Sequence, residues 1–116
     1  MKKILVAEDN ESNYILMSYI LRKHYEIARA HHGQEAVEMV NAGSYDMVLM
    51  DMQMPIMDGL TATKIIKGSH PNLPILAVTA NAFGSDREAA FAAGCDEFVT
   101  KPVNATLCLE TIARFI

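Results

Sequence analysis

The sequence predicts an α/β fold: a single doubly wound, five-stranded parallel sheet, (βα)5, with helices on both faces. Three observations carry this expectation. Short apolar runs alternate with segments of helical period along all 116 residues, a pattern that implies parallel strands joined by right-handed helical crossovers. Most of the runs are continuously apolar, as strands buried on both faces are. Four of them end in groups that do not belong in a core: Glu8-Asp9, Asp51, Thr79 and Lys101.

Ile4-Leu5-Val6-Ala7 is the first run, and Glu8-Asp9-Asn10 punctuates it. From Glu11 to Lys23 the period becomes helical, and Leu16, Ile20 and the pair Ile15/Tyr19 are the expected inward face. Tyr25 to Ala30 alternates in part, as an edge strand exposed on one face does. Gly33 opens a second helix with Ala36, Val37 and Val40 on one side, closing at Asn41-Ala42-Gly43. Met47-Val48-Leu49-Met50 is a buried strand that stops at Asp51, with Pro55 and Asp58-Gly59 marking the loop beyond it. Asp58 is a natural cap for the next helix, Leu60 to Lys67, with Ala62, Ile65 and Ile66 inward. Gly59 is expected to permit a backbone conformation that other residues resist. Gly68 to Pro74 reads as a loop, and Ile75-Leu76-Ala77-Val78 as the fourth strand. Ser85 and Glu88 have the spacing of a capping box ahead of an alanine-rich helix that stops at Gly94. Phe98-Val99 is a short fifth strand, ending in Thr100-Lys101-Pro102. Asn104 caps a last helix using Leu109, Ile112 and Ile116.

Composition narrows the function classes. A net charge of −4 gives no electrostatic case for nucleic acid or an anionic membrane surface. No apolar run approaches the roughly 18 residues of a membrane span, and the N-terminal run is too short for a signal peptide. Cys95 and Cys108 have neither metal-ligand nor redox spacing and read as small apolar core groups in a reducing cytoplasm. The histidines His24, His31, His32 and His70 do not form a zinc-ligand pattern. Among the eight methionines, Met17, Met39, Met47 and Met50 read as core filling, and Met52, Met54 and Met57 as loop residues with some exposure.

In an open parallel sheet the strand ends lie along one edge, where ligands bind. Three carboxylates, a hydroxyl and an ammonium therefore converge. Two carboxylates about 4 Å apart repel by roughly 1–4 kcal/mol, depending on the effective dielectric. Three in one crevice call for a cation or a proton among them. Hard divalent cations take oxygen ligands, and Mg²⁺ commonly uses one or two carboxylates together with phosphate. A metal, Lys101 and Thr79 around a free carboxylate suit phosphoryl transfer, in which the protein positions groups and neutralises charge. Asp51 is the candidate covalent acceptor.

Together these residues resemble the receiver domain of two-component response regulators over essentially the whole length. The matching pieces are Glu8-Asp9, Asp51, Met54-Pro55, Asp58-Gly59, Thr79-Ala80 and Lys101-Pro102, in order. The resemblance implies a flavodoxin-like sheet of strand order 2-1-3-4-5 and a phosphoacceptor role for Asp51. The donor it implies is a phosphohistidine on a histidine kinase or histidine phosphotransfer protein. It also implies Mg²⁺ (or Mn²⁺) held by Glu8, Asp9, Asp51 and the backbone carbonyl of Gln53. Thr79 and Lys101 would contact the phosphate, with a cis Lys101–Pro102 bond fixing the lysine's approach. Thr79 and Phe98 would form the switch, and the side chains of Gln53 and Asn81 would tune dephosphorylation. Asn10 and Thr79-Ala80-Asn81-Ala82 look more like receivers of hybrid kinases or free-standing shuttle receivers than those of DNA-binding regulators.

The expected function is a cytoplasmic signalling switch, an enzyme only toward its own phosphoryl group, with a possible downstream protein target. Two alternatives belong to other classes. A Mg²⁺-dependent aspartyl-phosphate phosphohydrolase of the dehalogenase type would place a second Asp where this chain has Gln53. A phosphorylation-independent adaptor would have no need of the retained acidic, hydroxyl and lysine groups. The chain reads as one receiver domain, 1–116, without an output domain, and Met1-Lys2-Lys3 before the first strand favours a stand-alone protein.

Overall fold

The computed structural model describes residues 1–80 and 84–116; Asn81, Ala82 and Phe83 lie outside the described residues. The order is β1 (Lys3–Ala7), α1 (Glu11–Leu21), β2 (Glu26–Ala30), α2 (Gly33–Ala42), β3 (Met47–Asp51), α3 (Gly59–Ser69), β4 (Ile75–Thr79), α4 (Ser85–Ala93), β5 (Glu97–Thr100) and α5 (Ala105–Ala113). The strands form one parallel sheet in the order β2-β1-β3-β4-β5. β3, at the centre, is buried from Met47 through Asp51.

Side chains of successive strand residues point to opposite faces, and the sheet has a core on each. Leu5, Ala7, Val48, Met50, Ile75 and Ala77 meet Ala36, Val37 and Val40 of α2, Ala62 and Ile66 of α3, and Ala90 of α4. Ile4, Val6, Met47, Leu49, Leu76 and Val78 meet Met17 and Leu21 of α1, and Cys108 and Ile112 of α5. Both cysteines are buried free thiols, and burial pushes each up to about 11. The expected caps hold at two helices: Asp58 Oδ1 accepts from Thr61 N at 2.8 Å and Asn104 Oδ1 from Leu107 N at 3.0 Å. Gly94, at φ 113°, ends α4 in the left-handed region.

Several local expectations are corrected. In α1 the inward face is not Ile15, Leu16 and Tyr19, which are 45%, 44% and 60% exposed. Met17 and Leu21 are buried instead, with Tyr14 and Ile20 packed alongside. The segment Tyr14-Ile15-Leu16-Met17 is apolar around its whole circumference, so periodicity did not fix its phase. In α3 the buried partner of Ala62 and Ile66 is Thr63, while Ile65 is 42% exposed; the helix also runs on through Gly68 to Ser69. Ser85 is the first helical residue of α4, not its cap. Gly84 takes the cap position at φ 64°, without a side-chain cap bond, and its carbonyl accepts from Glu88 N at 3.3 Å. Gly59 does not have a positive φ; a Cβ there would stand 2.1 Å from the carbonyl oxygen of Asp51. Its role is close approach. Met52, Met54 and Met57 are half-buried against the core.

Candidate functional site

The site residues stand at or just beyond the carboxyl ends of the strands, along one edge of the sheet. Glu8 N donates the last β1–β2 ladder bond to Ala30 O at 3.0 Å, and the Glu8 side chain is buried at this edge. Asp51 is the final residue of β3 and pairs with Val78. Thr79 ends β4, and its carbonyl accepts from Lys101 N at 2.8 Å, fixing where the lysine leaves β5. The Lys101–Pro102 bond is cis.

Glu8, Asp9, Asp51, Gln53, Thr79 and Lys101 all line one cavity of about 370 Å³. Asp51 Oδ1 accepts from Gln53 N at 3.1 Å, and Oδ2 accepts from Lys101 Nζ at 3.1 Å. The same ammonium lies 3.3 Å from Glu8 Oε1. That contact lacks hydrogen-bond geometry, so Oε1, fully buried, has no hydrogen-bond partner among the described residues. Glu8 is 0% and Asp51 4% exposed; Asp9 is exposed. Burial, then the neighbouring Asp51 carboxyl, push the Glu8 carboxyl up to about 7, against the opposing pull of Lys101 and the Asn10 amide. Burial pulls Lys101 down, but Asp51 and Glu8 outweigh it and leave the ammonium above its ordinary range.

Glu8, Asp9 and Asp51 each offer an oxygen, and the three lie within 4.8 Å of one another. An orphaned buried oxygen and an all-carboxylate donor set fit a hard divalent cation. Among the described residues that line the cavity, Lys101 is the one ammonium set against these three carboxylates.

The other expected site residues fall around this centre. Gly59 packs against the back of Asp51, and Pro102 lines a smaller adjoining cavity with Glu8 and Lys101. Phe98 does not line the main cavity. It is half-buried on β5, edge-on to Phe91 with ring centroids 6.0 Å apart, and Arg87 lies 5.1 Å from its ring. Asn81 lies outside the described residues. Asp86, in the first turn of α4, and Asn13 of α1 also line the cavity and were not foreseen. Asp86 was hidden in an apparent capping box, and Asn13 in the polar start of a helix.

The response regulator receiver domain family model matches residues 4–113. The hybrid signal transduction histidine kinase I of Dictyostelium discoideum is 40% identical over 121 aligned residues, covering 96% of this chain and 7% of that protein. The chain thus spans a small fraction of that relative's length. A receiver domain of a Pseudomonas aeruginosa PAO1 sensor histidine kinase, solved with a magnesium ion in its active-site cleft, superposes with a TM-score of 0.92 at 32% identity, covering 98% of this chain and 96% of that one. So does the receiver domain of a Saccharomyces cerevisiae response regulator co-crystallised with a histidine phosphotransfer protein: TM-score 0.92, 30% identity, 98% of this chain and 88% of that one. The chain belongs to the response regulator receiver domain family, the signalling switches of two-component systems. Fold and strand order agree with the sequence expectation.

Proposed function

We propose that Asp51 accepts a phosphoryl group from the phosphohistidine of a histidine kinase or histidine phosphotransfer protein, in a Mg²⁺-dependent reaction. The observation that carries this reading is the buried Asp51 carboxylate held between Lys101 and two further acids at the open end of the sheet. The P–N bond of the donor breaks as an O–P bond to Asp51 forms, and the imidazole nitrogen takes a proton from solvent.

Glu8, Asp9, Asp51 and the carbonyl of Gln53 would hold the metal, and Mn²⁺ suits the same oxygen set. Bound there, the ion supplies positive charge against the transferring phosphoryl oxygens. The remaining work falls to the chain. Lys101 neutralises Asp51 in the resting site, and its three rotatable donors are free to follow charge from Asp51 Oδ2 to a phosphoryl oxygen. The Gln53 amide holds Oδ1 and orients the carboxylate. Phosphorylation adds about −1.5 to −2 charges and three acceptor oxygens. The Thr79 hydroxyl, at the adjacent strand end, moves to bond one of them, and Phe98 leaves its place beside Arg87 and Phe91 for the space vacated. Shifting such a switch from 1:99 to 99:1 takes about 5.5 kcal/mol of preference. The face built from α4, β5 and α5 then presents a changed surface to a downstream protein. The exposed Gln53 side chain and Asn81 set the lifetime of the phosphorylated state.

The enzymatic activity is confined to gain and loss of this one phosphoryl group. Among the described residues no helix is long and apolar enough to cross a membrane, and we place the protein in the cytoplasm without a nucleic-acid partner. The test is transfer from a phosphorylated histidine phosphotransfer protein or kinase: wild type gains an acid-stable, base-labile phosphoryl group and Asp51→Asn gains none. Equal labelling of the Asn variant would remove Asp51 from the role.

A further inference from the structure

Arg29 occupies an unexpected position. It pairs with Val6 on the edge strand β2, and strand alternation puts it on the same face as Ile27, which packs against the core beneath α1 and α5. Its side chain is only 13% exposed. A charge on a covered face is unfavourable unless its hydrogen bonds are satisfied, so the partners of this guanidinium are informative.

They are the backbone of the acidic segment. Nε and Nη2 fork onto the Glu8 carbonyl at 3.2 and 3.1 Å, and Nη2 also reaches the Asp9 carbonyl at 3.4 Å. Nη1 donates to Glu11 Oε2 at 2.7 Å, in the first turn of α1. The guanidinium carbon lies 4.4 Å from the centre of the Tyr14 ring, one turn further along that helix. Glu8 N makes the last β1–β2 ladder bond, and among the described residues no strand N–H donates to the Glu8 or Asp9 carbonyl. Arg29 takes both and ties them to α1.

We infer that Arg29 is a positioning residue for the metal-binding pair, fixing the backbone between β1 and α1 so that the Glu8 and Asp9 carboxylates face Asp51. The inference rests on the metal role proposed for Glu8 and Asp9. Arg29 does not touch the metal or the phosphoryl group; it acts through the two residues that do. The fork is the essential part. A lysine would keep the charge but has one nitrogen and no planar pair of donors.

This separates positioning from simple electrostatics. Mg²⁺ demands near-ideal octahedral geometry, whereas Ca²⁺ tolerates irregular oxygen sets. A misaimed Glu8–Asp9 segment therefore loses more Mg²⁺ than Ca²⁺ affinity. The experiment titrates Mg²⁺ and Ca²⁺ into wild-type, Arg29→Lys and Tyr14→Leu full chains by calorimetry, with urea unfolding as a check that each is folded. Substitutions behind metal ligands weaken binding by about 10–100-fold. Arg29→Lys is expected to weaken Mg²⁺ about 10-fold and Ca²⁺ clearly less. Tyr14→Leu, which leaves the carbonyl bonds but removes their platform, is expected to shift the same ratio by a smaller factor and serves if the lysine variant does not fold. Unchanged Mg²⁺ affinity, or an equal loss for both ions, overturns the positioning role. Failure of the wild type to bind Mg²⁺ overturns instead the metal reading beneath it.

Discussion

Lys101→Ala removes the only described cation within ion-pair distance of Glu8 and Asp51, at 3.3 and 3.1 Å. At those separations each attraction is about 5 kcal/mol at an effective dielectric near 20, a gross value that solvent reduces because the lysine is 23% exposed. Breaking one side of a buried ion pair has a net effect of about 3–5 kcal/mol when the remaining charge cannot escape. Here it escapes by taking up a proton. Glu8 is already raised from 4.5 to about 7, and loss of the lysine, which holds it down, raises it further. The sign then follows from linkage. A carboxyl whose folded pKa lies above its unfolded one favours the fold most below the unfolded value, and that contribution is lost as pH rises through the folded value. In metal-free wild type the Glu8 contribution falls between about pH 4.5 and 7 and is level above. In Lys101→Ala the fall continues beyond pH 7, by up to about 1.4 kcal/mol per pH unit. Urea unfolding followed by circular dichroism in EDTA, at pH 7 and 8.5, resolves this. The variant is expected to lose more stability than wild type across that interval, by up to about 1.5 kcal/mol, a midpoint shift of up to roughly 1 M. Parallel profiles for the two proteins would refute the account of a carboxylate pair held by one ammonium.

Two other substitutions test the packing that positions the site. Gly59→Ala gains less than the roughly 1 kcal/mol of an interior helix position, because Gly59 is the first residue of α3, and its Cβ would meet the Asp51 carbonyl oxygen at 2.1 Å. A backbone atom cannot swing aside as a side chain would, so a net loss of about 1–3 kcal/mol is expected in thermal unfolding, with weakened Mg²⁺ binding; a stabilised variant would contradict the close-approach role. Met17→Ala is expected to destabilise by about 2–5 kcal/mol and its neighbour Leu16→Ala by under about 1 kcal/mol, measured by urea unfolding, and a reversed ranking would restore the face that periodicity suggested for α1.

The strands and the acidic edge were legible because each rests on a local contrast. Four apolar residues followed by Asp51, or Glu8-Asp9 after Ile4 to Ala7, need no knowledge of the rest of the chain. The face of α1 was not legible, because Ile15, Leu16 and Met17 are all apolar and only the sheet decides which of them is covered. The start of α4 misled for a different reason: Ser85 and Glu88 have the right spacing, but the left-handed φ of Gly84 moves the cap back one residue. Gly59 was assigned backbone freedom when its missing side chain makes room for Asp51. Arg29 gave no signal at all. One arginine in an alternating edge strand looks solvated, and its hold on Glu8 and Asp9 exists only once β2 lies beside β1.

The central claim is that Asp51 is the residue that takes the phosphoryl group, and the most direct test needs no partner protein. Wild type and Asp51→Asn are incubated with acetyl phosphate, with Mg²⁺ or with EDTA, and read by intact mass and peptide mapping. The account predicts one added phosphoryl group on wild type, mapped to Asp51, and only with Mg²⁺. Label on the Asn variant, label mapped to another residue, or full labelling in EDTA would contradict it.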